Sequence, residues 1–176
     1  MKTTYALAIH GGAGTLLRSE MSDEKEQLHR DALNAALAAG EAVLSQGGTA
    51  MDAVIASVQS LEDCPLFNAG TGAVFTNNGF HELDASLMEG HDRRAGAVCA
   101  VRRIKNPILL CREVMDSEFV MLNGPGAEQF AAERGFEFID NSSLSTQFRK
   151  DQLVQAIEAN RVQLDHNDTR HKMGTV

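Results

Sequence analysis

Near Asn68 the chain changes its period. Upstream, apolar residues recur every three to four positions, first at Leu28, Ala32, Ala35, Ala36, Ala39 and Val43, then at Met51, Val54, Ile55, Val58 and Leu61. These two stripes predict two helices. Downstream, the glycine-rich Asn68-Ala69-Gly70-Thr71-Gly72 passes into β-prone Ala73–Thr76, and the runs Glu82–Met88 and Ala95–Val101 read as strands. Helical signals return after Asn106-Pro107. Helices on both sides of a block of strands point to layered α and β structure on an internal sheet.

Local signals place the boundaries. Ser22 precedes the acids Asp23, Glu24 and Glu26, which suit the first turn of a helix, and Gly47-Gly48 stops that run. Thr49 and Asp52 have the spacing of a capping box, and the second helix ends before Cys64-Pro65. Tyr5–Ile9 reads as a first strand that ends at His10-Gly11-Gly12-Ala13-Gly14. Ala95–Val101 is apolar on both faces and is expected between two layers. Pro107 at a first helical position opens a helix to about Met115. A short strand over Phe119–Leu122, a helix from Gly124-Pro125-Gly126 to Gly135, and a last helix over Leu144–Ala159 follow. Asn160–Lys172 is polar and of mixed charge, and reads as a mobile linker.

Composition narrows the class of function. The 176 residues suit one domain, 43% of them are apolar and only 5% aromatic, so the core is aliphatic. Sixteen basic against 24 acidic residues give a net charge of −8, which disfavours a nucleic-acid partner. No apolar run approaches the roughly 20 residues of a membrane span. The apolar stretch at Tyr5–Ile9 is too short for a signal peptide. Cys64, Cys99 and Cys111 form no CxxC pair, so they predict buried, reduced thiols and a cytoplasmic protein.

Several chemistries fail on spacing. Gly12-Ala13-Gly14 follows a strand, but position 17 is Leu17 and no acid-tipped strand comes at the distance a dinucleotide site requires. His81 and Glu82 are neighbours on a strand and point to opposite faces, while His166 and His171 sit in the linker, so no catalytic metal is expected. The histidines read as surface or capping residues. No G-x-S-x-G elbow is present. Thr175, preceded by Gly174 after the linker, remains. A threonine released at an N-terminus has its own α-amine, of pKa about 7.7–8.0, as general base.

Longer blocks carry a resemblance. His10–Gly14, Leu61–Thr76, Glu82–Gly90, Ala95–Val98, Asn106-Pro107 and Lys172–Val176 together are similar to the α-chain portion of plant-type asparaginases, the isoaspartyl peptidase family of N-terminal-nucleophile hydrolases. The resemblance runs in order along essentially the whole chain.

It implies a four-layer αββα sandwich of which residues 1–159 supply the α-subunit part, with 160–174 a linker and 175–176 the start of the β-chain region. It implies a precursor that cuts itself between Gly174 and Thr175, with Thr175 as the nucleophile for isoaspartyl dipeptides and L-asparagine. No catalytic cofactor is implied. A structural Na⁺ is, held by the backbone carbonyls of Leu61, Glu62, Cys64, Phe67, Ala69 and Thr71. The other reading of that segment is a rigid loop without an ion. Asn68 matches the α-chain residue near the nucleophile, or serves only as a turn residue. The implied partner is the β chain of the same precursor, in an (αβ)2 assembly, which brings the oxyanion donors and the groups that grip substrate. A glycosylasparaginase, an endopeptidase of the same superfamily, or a non-catalytic scaffold are the alternatives.

Overall fold

The structure, a computed structural model, describes residues 4–12 and 21–159. It opens with a helix pair, α1 (Asp23–Ser45) and α2 (Ala50–Glu62). The Ser22 side chain accepts from the Lys25 N–H and so caps α1, and Thr49 accepts from the Asp52 N–H at 3.1 Å; of the expected capping box only this half forms, since Asp52 Oδ2 accepts from the Thr49 hydroxyl rather than from its N–H. Small residues let the two helices approach, with Ala36, Gly40, Ala53 and Ser57 all buried. A Cβ on Gly40 would overlap the Ser57 hydroxyl and come within 2.7 Å of Leu7 Cδ2.

The sheet follows. Strands β1 (Leu83–Met88) and β2 (Ala95–Val101) pair antiparallel, and β3 (Met121–Asn123) joins β2 in parallel after the crossover helix α3 (Pro107–Met115). The order among the described residues is β1-β2-β3. Leu83 pairs with Val101 and Ala85 with Val98, so β2 holds one extra residue. Ala100 takes up that bulge with a φ of 53°, and Asp84 Oδ1 accepts its N–H at 2.7 Å. Helix α3 covers the face made by Leu83, Leu87, Gly96, Val98 and Val101, with Ile108, Leu110, Cys111 and Val114 in the same core. Helix α4 (Gly124–Glu133) adds Ala127 and Ala131, and a 3₁₀ turn (Asn141–Leu144) leads to α5 (Gln147–Glu158).

Five expectations change. Tyr5–Ile9 is not a strand, because no ladder pairs with it among the described residues, and Leu7 packs on α1 instead. The outward positions of β2, Ala95, Ala97 and Cys99, are only half-buried, since among the described residues one layer of helices covers one face. Val54 lies off the buried stripe of α2, 41% exposed, and Glu62 is buried in line with Met51, Ile55 and Val58. The last helix begins at Gln147 rather than Leu144, because the Thr146 hydroxyl caps it by accepting from the Arg149 N–H. Of the thiols only Cys111 is fully buried, and burial pushes it up to about 12; Cys64 and Cys99 are half-buried. The linker 160–174 lies outside the described residues, and no described helix is long and apolar enough to cross a membrane.

Candidate functional site

The loop after α2 closes on itself. Thr71 N–H donates to the Glu62 carbonyl at 2.7 Å, so residues 62–71 form a ring whose ends meet. Glycine makes the closure possible. A Cβ on Gly70 would overlap the Glu62 carbonyl oxygen, and one on Gly72 would overlap that of Pro65. Gly72 also takes a φ of 83°, which other residues rarely adopt.

This ring contains five of the six positions expected to hold an ion, and the sixth, Leu61, directly precedes it. Leu61, Cys64, Ala69 and Thr71 are half-buried, and Glu62 and Phe67 are buried. The Leu61 carbonyl accepts from Cys64 N–H at 3.2 Å, and the Cys64 carbonyl accepts weakly from Phe67 N–H at 3.4 Å. Three of the six carbonyls, those of Leu61, Glu62 and Cys64, thus accept a backbone N–H; a hard cation takes such oxygen donors where they converge. Among the described residues, no cluster of three or more His, Cys, Asp or Glu side chains offers a metal site of another kind.

Asn68 sits exposed on the ring. Its Oδ1 accepts from the Val74 N–H at 2.8 Å, so the residue does serve the turn. Nothing among the described residues accepts from its Nδ2. The amide is therefore anchored at its oxygen and free to donate outward.

Two motifs far apart in sequence come together here. Gly11, Gly12 and Phe67 line one cleft of about 400 Å³, with His29, Arg30 and Leu33 of α1 on its walls. The Phe67 ring meets His29 edge-on with 6.1 Å between centroids.

The ring is fastened to α3 by a side chain that sequence reasoning treated only as a carbonyl donor. Glu62 Oε1 accepts the Ile108 N–H at 3.0 Å and so caps α3, whose own N-cap Asn106 makes no side-chain capping bond. Glu62 Oε2 is buried without a partner. Burial pushes this carboxyl up to about 8, against the opposing pull of the Ile108 hydrogen bond. At the rim, Asp63 Oδ1 accepts from Asn106 Nδ2 at 3.2 Å and pairs with Lys105 at 2.9 Å.

His81 is another correction. It was expected at the surface or in a cap, and it is fully buried because it shares the inward face with Leu83. Its Nδ1 is 3.3 Å from the Val74 carbonyl and its Nε2 2.9 Å from the Ser145 hydroxyl. A carbonyl only accepts, so Nδ1 carries the proton and neutral Nε2 accepts from the hydroxyl. Burial holds the ring below its usual pKa and so keeps it neutral. The Phe75 ring lies 3.9 Å away between centroids.

The position of Glu62 on the apolar stripe of α2 was a readable sign of its burial. Arg149 left a weaker one, as it shares its helix face with Leu153 and Ala156. Gly174, Thr175, Ala13 and Gly14 lie outside the described residues.

Comparison with known proteins places the chain. Residues 3–176 match the profile described as Asparaginase. The chain is 46% identical over 175 residues to the isoaspartyl peptidase of Escherichia coli, covering 97% of this chain and 54% of that protein. It is 41% identical over 172 residues to a human isoaspartyl peptidase/L-asparaginase, covering 97% and 54%. It is 40% identical over 165 residues to a probable isoaspartyl peptidase/L-asparaginase 2 of Arabidopsis thaliana, covering 92% and 50%. The chain thus spans about half the length of these relatives. With its closed glycine ring, its exposed Asn68 and this similarity along nearly all of its length, the chain belongs to the asparaginase family.

Proposed function

We infer that this chain is the α-chain part of a self-processing threonine hydrolase that cleaves β-aspartyl dipeptides and L-asparagine. The observation that carries the reading is the similarity, along 97% of the chain, to a protein named isoaspartyl peptidase. The exposed Asn68 amide on a rigid ring supports it, because such a donor suits a nucleophile or its developing oxyanion.

In the first reaction the Thr175 hydroxyl attacks the Gly174 carbonyl, the C–N bond breaks as the ester forms, and water opens that ester. Thr175 then has a free α-amine. In the second reaction its hydroxyl attacks the side-chain carbonyl of the substrate, and the amine takes the proton and passes it to the leaving amine. A β-aspartyl ester remains, and water, activated by the same amine, releases aspartate. Threonine and amine suffice for this chemistry without a cofactor. Na⁺ on the carbonyls of Leu61, Glu62, Cys64, Phe67, Ala69 and Thr71 would stiffen the ring that presents Asn68.

The uncovered sheet face supports the sandwich architecture. Met88 is 63% exposed and Met121 57%, and Ser86, Ala95 and Ala97 lie on the same face, a largely apolar surface that a second sheet would bury. That sheet would come from the β chain, within an (αβ)2 assembly. We place the enzyme in the cytoplasm, in keeping with its free thiols.

The test is substrate discrimination by the full-length protein. It should hydrolyse β-aspartyl-Leu and leave α-Asp-Leu intact, since the nucleophile reads a side-chain carbonyl beside a free α-amine and α-carboxylate. Equal turnover of both peptides would return the chain to a general peptidase, and turnover of neither to a scaffold.

A further inference from the structure

The ring that carries Asn68 is gripped from a second side. Gly72 donates its N–H to the Leu144 carbonyl at 2.7 Å and accepts at its own carbonyl from Arg149 Nε at 2.6 Å. Arg149 is only 2% exposed, and its second nitrogen donates to Gln152 Oε1 at 2.9 Å. One turn of chain away, Asn141 brackets His81. Its Oδ1 accepts the His81 N–H at 2.9 Å, and its Nδ2 donates to the carbonyls of His81 at 2.9 Å and Arg102 at 2.7 Å. His81 in turn joins Ser145 to the Val74 carbonyl, and Val74 is the residue whose N–H holds the Asn68 amide oxygen.

These bonds form two branches. One runs from Arg149 of α5 to Gly72, two residues before Val74, and the other from Ser145 through His81 and Val74 to the side chain of Asn68. Such a network is more than a helix lying on a loop requires. An apolar contact would have sufficed for packing, whereas a buried guanidinium is costly unless its donors are met, and here one of them is met by a carbonyl of the ring.

We propose that Arg149 and His81 are positioning residues, which with Asn141 clamp the ring from the side of α5 and so fix the Asn68 amide for the reactions of the nucleophile. This rests on the reading above that Asn68 stands beside Thr175. Neither residue touches substrate. Each acts through Asn68, and that dependence is what can be measured.

The experiment uses the full-length precursor and follows self-cleavage, then kcat and KM for β-aspartyl-Leu in the processed enzyme. Arg149→Met keeps length and apolar bulk and removes the donors. It should slow self-cleavage and lower kcat by about tenfold or more, the scale of one lost charge-assisted hydrogen bond, with KM changed less than about twofold. Arg149→Lys should recover part of the loss. In an Asn68→Ala background, Arg149→Met should add no further loss in kcat, because the group it positions is already gone. Should Arg149→Met fail to fold, Ser145→Ala decides. It deletes only the hydroxyl on His81 and should show the same pattern more mildly. Normal rates in a folded Arg149→Met protein, or losses that multiply with Asn68→Ala, overturn the proposal while the functional reading stands. A wild-type precursor that neither splits nor hydrolyses β-aspartyl-Leu sinks the reading and this proposal with it.

Discussion

Glu62 caps a helix it does not belong to: its Oε1 accepts the N–H of Ile108 at 3.0 Å, while its other oxygen lies buried without a partner. A proton on that second oxygen removes the cost of a buried charge. The folded carboxyl, near 8, binds a proton more tightly than the unfolded one near 4.5. This contribution to stability is therefore complete below pH 4.5 and is lost as pH rises to about 8. The slope is up to about 1.4 kcal/mol per pH unit. Glu62→Gln keeps the acceptor for Ile108 and removes the titration. Its melting temperature, followed against pH beside wild type, should gain on wild type steadily across that window. Parallel profiles would count against a raised Glu62.

Gly96 lies where β2 crosses α3. A Cβ there would overlap the Cys111 carbonyl oxygen and come 2.5 Å from the Met115 backbone nitrogen. Both neighbours are helix backbone and cannot swing aside. Gly96→Ala should destabilise by about 2 kcal/mol or more, read as a lower urea midpoint at unchanged slope. A midpoint equal to wild type would show that α3 is not seated on β2 as described.

Sodium offers a test without mutation. If the carbonyls of Leu61 to Thr71 hold Na⁺, exchange of sodium for choline should lower both the melting temperature and β-aspartyl-Leu hydrolysis, and sodium should restore both. Binding to the folded state alone stabilises by about 2.7 kcal/mol at a hundredfold excess over Kd. An unchanged melting temperature across the two buffers would leave the ring as a rigid loop without an ion.

Thr175→Ala in the full-length precursor should abolish self-cleavage and hydrolysis together, because in the proposed mechanism one hydroxyl performs both. Thr175→Ser should still process, more slowly, since serine keeps the hydroxyl and loses the methyl that restricts its rotamer. Intact-mass analysis decides. An alanine variant that splits before residue 175 would falsify the nucleophile assignment.

Local signals were the most legible part of this fold. Ser22, Thr49 and Pro107 each start a helix where their chemistry says they should, although Asn106 leaves the capping of α3 to Glu62, and the positive φ of 84° at Gly47 and 77° at Gly135 marks two helix ends. Both long strands fall within a residue of their apolar runs. What the sequence hid was non-local. Tyr5–Ile9 has strand composition, yet a strand needs a neighbour, and α1 occupies Leu7 instead. The importance of His81 and Arg149 depends on partners 64 and 77 residues away, which no local pattern encodes. At the site, the glycine block and Asn68 are visible as a motif, whereas the role of the Glu62 side chain depends on Ile108, 46 residues away.

The clamp between α5 and the ring also imposes an order of assembly. The β1-β2 hairpin and the β2-α3-β3 unit join residues close in sequence, between 83 and 123, so their loops are short and close early. The bonds from Asn141 and Ser145 to His81 and from Arg149 to Gly72 bridge 60 to 77 residues and close late. A chain emerging during synthesis therefore builds its sheet before it can steady Asn68. If the full-length protein cuts its own backbone, as proposed, such a delay would act as a timer, holding the cutting machinery slack until the rest of the molecule is in place.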